Sequence, residues 1–96
     1  MKRIYISGAI TSDILNAPRK FCETERQLRR EFGCEVINPM KLPHKEGATW
    51  EEYMIVDLEA LRTCDAIYML RCWKDSRGAR LEHAEAEHHK LKIIYQ

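Results

Sequence analysis

Apolar and polar positions along the chain fall into two alternating rhythms. Short runs rich in β-branched and aromatic residues are separated by longer stretches with helical spacing. The run "RIYIS" reads as a first strand, stopped by Gly8, and "GAITSD" follows as a loop. From Pro18 onward, Phe21, Cys22, Glu25, Leu28, Arg29 and Phe32 recur at helical spacing, with Gly33 as the stop. "CEVINP" reads as a second strand broken by Pro39, and "MKLPHKEGAT" as a polar loop. A second helix is signalled by Thr49 as N-cap with Glu52 as its capping-box partner. Trp50, Tyr53, Met54, Asp57, Leu58 and Leu61 then form one stripe on that helix. "DAIYML" has the continuous apolar character of a central parallel strand, and "RCWKDSRG" is the loop after it. A last helix is predicted from about Gly78 to Lys90, and "LKIIY" closes as a fourth strand.

Strands alternating with helices predict an α/β domain with right-handed crossovers. The expected architecture is a flavodoxin-like three-layer sandwich. Its sheet should be small and mainly parallel, of four to five strands, with strand one inside it, and residues 1–96 should form a single domain. In such sheets ligands bind beyond the carboxyl ends of the strands, near the switch in strand order. "YISGAIT" and "MLRCWKDSRG" would then border one crevice.

Composition narrows the function classes without choosing one. The chain has 96 residues, 45% hydrophobic and 32% charged, with a formal net charge of +1. No global field favours a nucleic acid polymer or a membrane surface, and Arg29 and Arg30 read as solvated helix face. No apolar run is long enough to span a bilayer. "MKRIYISGAI" is too short in apolar residues for a signal peptide, which predicts a cytoplasmic protein. Cys22, Cys34, Cys64 and Cys72 lack CxxC spacing and read as free thiols.

Candidate chemistry centres on three residues. Asp57 sits inside the apolar stripe of the second helix, where an ionised carboxylate is costly unless it is paired or opens into a cavity. Arg62 or a lysine is a possible partner. In "SRGARLE", Ser76 or Asp75 can cap the last helix. Glu82 lies too deep for a helix-end role, and Ala79 holds the capping-box position; from spacing alone it could equally be a solvated Glu on a helix that also carries Glu85 and Glu87. Tyr5 lies near the end of strand one and could reach the crevice, or it could be a core aromatic. Two carboxylates and a tyrosine in one cleft are equipment for cleaving a glycosidic bond. "EHAEAEHHK" places Glu85 and His89 one turn apart, but it lacks an HExxH pattern and reads as a solvated helix face rather than a metal site.

At these residues the chain resembles the nucleoside 2-deoxyribosyltransferase family, including the 2'-deoxynucleoside 5'-monophosphate N-glycosidases. The resemblance rests on "IYISGAI", on Asn38 and Pro39, on "DLEALRTCDAIYML" and on "SRGARLE". It implies Glu82 as the nucleophile on the anomeric carbon, Asp57 as the second catalytic carboxylate and Tyr5 as the residue orienting the nucleophile. It implies that Ser76 and Gly78 bind the sugar 5' end or its phosphate at a helix N-terminus. Ser7 and Gly8 would line the first loop, and Asp65 would be structural.

The expected activity is cleavage or transfer of an N-glycosidic bond on deoxyribonucleosides or deoxyribonucleotides. No cofactor or metal is implied, and the partner is a small-molecule nucleoside or nucleotide. The chain departs from the monophosphate hydrolases in its first loop, where "GAITSD" carries no arginine. It also ends soon after strand four, where the transferases carry a tail that completes a neighbour's site. These departures support an alternative: a nucleotide-binding or regulatory protein of the same fold with reduced turnover. Trp73 could stack on a base or cover an interface. Together with Trp50 and Tyr53 it predicts a homodimer or higher homo-oligomer.

Overall fold

A computed structural model describes residues 1–96. The strands are β1 (Arg3–Ser7), β2 (Glu35–Ile37), β3 (Ala66–Met69) and β4 (Lys92–Tyr95). The helices are α1 (Ala17–Phe32), α2 (Trp50–Leu61) and α3 (Arg77–His88). All four strands run parallel in the order β2-β1-β3-β4, so β1 is interior as expected. This is the flavodoxin-like arrangement, with the change in winding direction between β1 and β3.

The pleat of β1 divides the core. Ile4 and Ile6 face α1 and pack with Phe21, Leu28 and Val36. Tyr5 faces the other side, where Ile67, Met69, Leu61, Ala79 and Ala86 are buried with it. Side chains two apart on a strand share a face, so the side that takes Tyr5 also takes Ser7. Burying Phe21 fully contributes about 1.5–3 kcal/mol toward seating α1 on its layer.

Local signals set the element ends. α1 stops where Gly33 enters the left-handed region at φ 61° and its N–H donates to Arg29 O. α2 begins with the predicted capping box: Thr49 Oγ1 accepts from Glu52 N at 3.2 Å, and Glu52 Oε1 accepts from Thr49 N at 3.1 Å. Ser76 caps α3 by accepting from Ala79 N at 3.1 Å. The loops expected after β2 and β3 each contain a single 3-10 turn, Pro39–Lys41 and Trp73–Asp75. Asp65 accepts from the amides of Lys2 and Arg3 at 2.7 and 3.0 Å, which fixes the start of β1 beside β3.

The stripe predicted on α2 is split in the structure. Met54, Asp57 and Leu61 are buried, whereas Tyr53 is 42% exposed and Trp50 is half-buried. Trp50 and Tyr53 instead line a pocket at the carboxyl end of the sheet. All four cysteines are free thiols. Burial raises the Cys64 thiol to about 11, so it stays protonated.

Candidate active site

A pocket of about 570 Å³ opens above the carboxyl ends of β1 and β3. Its walls come from the segment after β1, the segment between β2 and α2, and helices α2 and α3. Two glycines let these elements meet. A Cβ on Gly8 would stand 2.8 Å from Leu70 Cβ, so only a bare backbone lets the chain leave β1 this close to β3. A Cβ on Gly78 would stand 3.2 Å from Met54 Sδ, so Gly78 brings α3 tightly against α2.

Glu82 lies on the inner face of α3, 5% exposed. Its carboxylate accepts from two hydroxyls of β1: Tyr5 donates to Oε2, and Ser7 donates to Oε1 at 2.7 Å. Both hydroxyls reach Glu82 because residues 5 and 7 share the α2/α3 side of the strand. Burial raises the Glu82 carboxyl to about 8, although the Tyr5 and Ser7 bonds act to lower it. Nearby Asp57 adds to the rise by like-charge repulsion. Tyr5 titrates well above its ordinary range, through burial first and then the charges of Glu82 and Asp57. It therefore remains a hydrogen-bond donor.

Asp57 points from α2 into the same pocket. Its partner is His44 rather than the Arg62 or lysine considered from the sequence: Nε2 lies 2.7 Å from Oδ1. Burial raises the Asp57 carboxyl, and the His44 hydrogen bond and charge oppose that rise. Tyr53 stacks on the His44 ring with centroids 4.2 Å apart. Arg62 turns away and pairs with Glu85, which also meets His89.

The structure thus brings Tyr5, Ser7, Gly8, Asp57, Ser76, Gly78 and Glu82 to one pocket or its floor. Ser7 does more than line the first loop, since it grips Glu82 directly. Trp73 is not at the pocket. It stacks on His83 at 4.3 Å, lies near Tyr95 and packs against the second half of the core. Trp50 is the tryptophan that lines the cavity, with the Arg77 guanidinium 3.7 Å above its ring. His44, Trp50 and Tyr53 were not singled out as site residues. The inward-facing Asp57 was the available signal, because a buried carboxylate demands a partner.

Fold and pocket together define an α/β protein with paired buried carboxylates at a topological switch point. The chain belongs to the family described as Domain of unknown function (DUF4406), whose model matches residues 2–95. No curated protein matches the sequence. Among solved structures, it is similar to a 2-desoxiribosyltransferase from Leishmania mexicana, with a TM-score of 0.74 and 16% identity. That match covers 99% of this chain and 63% of the transferase, so the chain spans less than two thirds of that protein's length. It is also similar to the Clostridium botulinum CMP N-glycosidase BcmB, with a TM-score of 0.64 and 21% identity, covering 98% of this chain and 67% of that one. At these identities the likeness is one of fold, and at that level it agrees with the family resemblance in the sequence.

Proposed function

We propose that the protein breaks the N-glycosidic bond of deoxyribonucleosides or deoxyribonucleotides, with Glu82 as nucleophile. The observation that carries this reading is the buried Glu82 carboxylate, gripped by Tyr5 and Ser7 beside a pocket that also receives Asp57. The named activities of the two structural neighbours, a deoxyribosyltransferase and a CMP N-glycosidase, support the same class.

The steps follow from the residues. In its ionised form, Glu82 forms a bond from one oxygen to the anomeric carbon as the bond to the base breaks. The electron pair of the broken bond leaves with the base, and Asp57 supplies a proton to it. Water or a second base then takes the sugar from Glu82. Tyr5 and Ser7 fix the direction of attack by holding both carboxylate oxygens. Ser76 and Gly78, at the start of α3, would meet the sugar 5' end. No lysine or arginine lines the cavity, which favours a deoxynucleoside over its 5'-monophosphate.

Incubation with deoxynucleosides and their monophosphates, with and without a second base, tests the reading. Free base is expected to appear, and a Glu82→Ala variant should abolish it. Base release no faster than in that variant would sink the catalytic reading. The absence of a lysine or arginine from the cavity lining also motivates the alternative of a binding or regulatory protein with reduced turnover. Saturable nucleoside binding by calorimetry without base release would favour it.

Exposed apolar side chains at and beside the pocket mouth, Ile14, Leu15 and Tyr53, fit a homo-oligomer that covers this rim. Light scattering should give a mass above that of one chain.

A further inference from the structure

We propose that His44 is a positioning residue for leaving-group protonation: its Nε2–H holds Asp57 Oδ1 so that Oδ2 presents its proton to the departing base. This rests on the glycosidic reading above and assigns a role within the same site.

The geometry is specific. His44 Nε2 is 2.7 Å from Asp57 Oδ1, with the two side chains only 11% and 10% exposed. A pair this enclosed is not the screened surface contact that contributes little. Asp57 Oδ2 has no hydrogen-bond partner in the chain, and Asp57 lines the cavity, so Oδ2 is the oxygen free to serve a ligand.

The imidazole is itself fixed. Tyr53 stacks on it with an interplanar angle of 22°. Its backbone amide donates to Leu42 O at 2.9 Å, just after Pro43 restricts the chain. The α2 N-terminus does not depend on this arrangement, since its capping box is complete without it. The ring comes from a different segment, which crosses the pocket to reach Asp57.

The chemistry balances. Before cleavage, Asp57 carries the proton on Oδ2, and His44 donates Nε2–H to Oδ1. As the bond between the anomeric carbon and the base nitrogen breaks, its electron pair goes to the base. The Oδ2 proton moves to the base, and the sugar carbon bonds to Glu82. The carboxylate left on Asp57 is stabilised by the Nε2–H already in place. Solvent restores the proton after the base departs.

Two measurements test this. The first compares a purine deoxynucleoside with its N7-methylated cation, whose base leaves without being protonated. His44→Ala should slow release from the ordinary nucleoside by ~100-fold and from the cation by less than ~5-fold, as expected for loss of general-acid assistance. His44→Gln, which can offer an amide N–H to Oδ1, should recover most of the lost rate. Equal slowing of both substrates, or no recovery in His44→Gln, overturns the proposal and leaves His44 a structural tie. Release of no base by the unaltered protein would instead defeat the glycosidic reading.

The second measurement needs no turnover. Nitrogen NMR of the neutral His44 ring should place the proton on Nε2, and Asp57→Ala should remove that preference. A neutral ring with its proton on Nδ1 overturns the proposal whether or not any substrate is cleaved.

Discussion

Tyr5 and Glu82, 77 positions apart in the chain, meet in one hydrogen bond in which the phenol donates to the carboxylate. The bond joins the interior strand to the last helix at the floor of the pocket. It also acts to lower the Glu82 carboxyl, opposing the burial that raises it to about 8.

Tyr5→Phe removes that donor and little else. Glu82 keeps the Ser7 bond, so the carboxylate becomes harder to ionise and freer to turn. Base release should fall about 10- to 100-fold at neutral pH, as for loss of one hydrogen bond to a charged group. The rate–pH profile should move to higher pH. A profile that stays in place with an unchanged rate would remove Tyr5 from the mechanism.

The raised Glu82 carboxyl also sets how stability depends on pH. Its folded value of about 8 lies above the ordinary 4.5. Between those values the folded protein holds a proton that the unfolded chain gives up. The contribution is therefore complete at the acid end and is lost as pH rises toward 8, with a slope of up to about 1.4 kcal/mol per pH unit. Asp57, also raised by burial, adds in the same direction. Thermal melts from pH 5 to 8 should show Tm falling, and Glu82→Gln should flatten the trend. A rising Tm in the unaltered protein would contradict the assignment.

Gly8→Ala tests the close seam between β1 and β3. The new methyl would stand 2.8 Å from Leu70 Cβ and from Leu70 Cδ1, so one side must shift. A loss of about 1–3 kcal/mol is expected, the usual cost of overpacking. Denaturant unfolding at constant m-value would measure it. Activity should drop as well, because Ser7 would move with its neighbour.

The two tryptophans report on different surfaces. In Trp73→Phe the remaining indole is Trp50, which lines the pocket. Adding a deoxynucleoside should change the fluorescence of this variant in a saturable way. In Trp50→Phe, where Trp73 remains stacked on His83, the same addition should have little effect. The reverse pattern would move the ligand to the other side of α3.

Much of this site was legible in the chain because its key residues break local rules. Asp57 interrupts an apolar stripe, and Glu82 lies too deep in its helix for a capping role. The order of elements was equally legible, since strand runs, Gly33 and the Thr49–Glu52 box each carry their own physical cause. What escaped was decided by tertiary placement. The segment between β2 and α2 has no periodicity, so nothing local says that His44 crosses to Asp57. Trp73 follows a strand that ends at the pocket, yet the 3-10 turn at Trp73–Asp75 sets its ring against His83 rather than the cavity. Trp50 and Tyr53 share spacing with core residues, and only the packing of α2 beside α3 turns them toward the cavity.

The hydroxyls that grip Glu82 belong to a strand bonded on both edges. Loosening that grip would require opening the middle of the sheet, the part of such a domain that exchanges its amides last. The pocket's outer walls are different in kind, coming from short turns such as Pro39–Lys41 and the segment through Thr11 and Ile14. Substitutions there can reshape what the cavity admits while the floor stays as it is. What the cavity admits and how its floor is built can therefore drift independently in this small protein, the first by surface change and the second only at the expense of the fold.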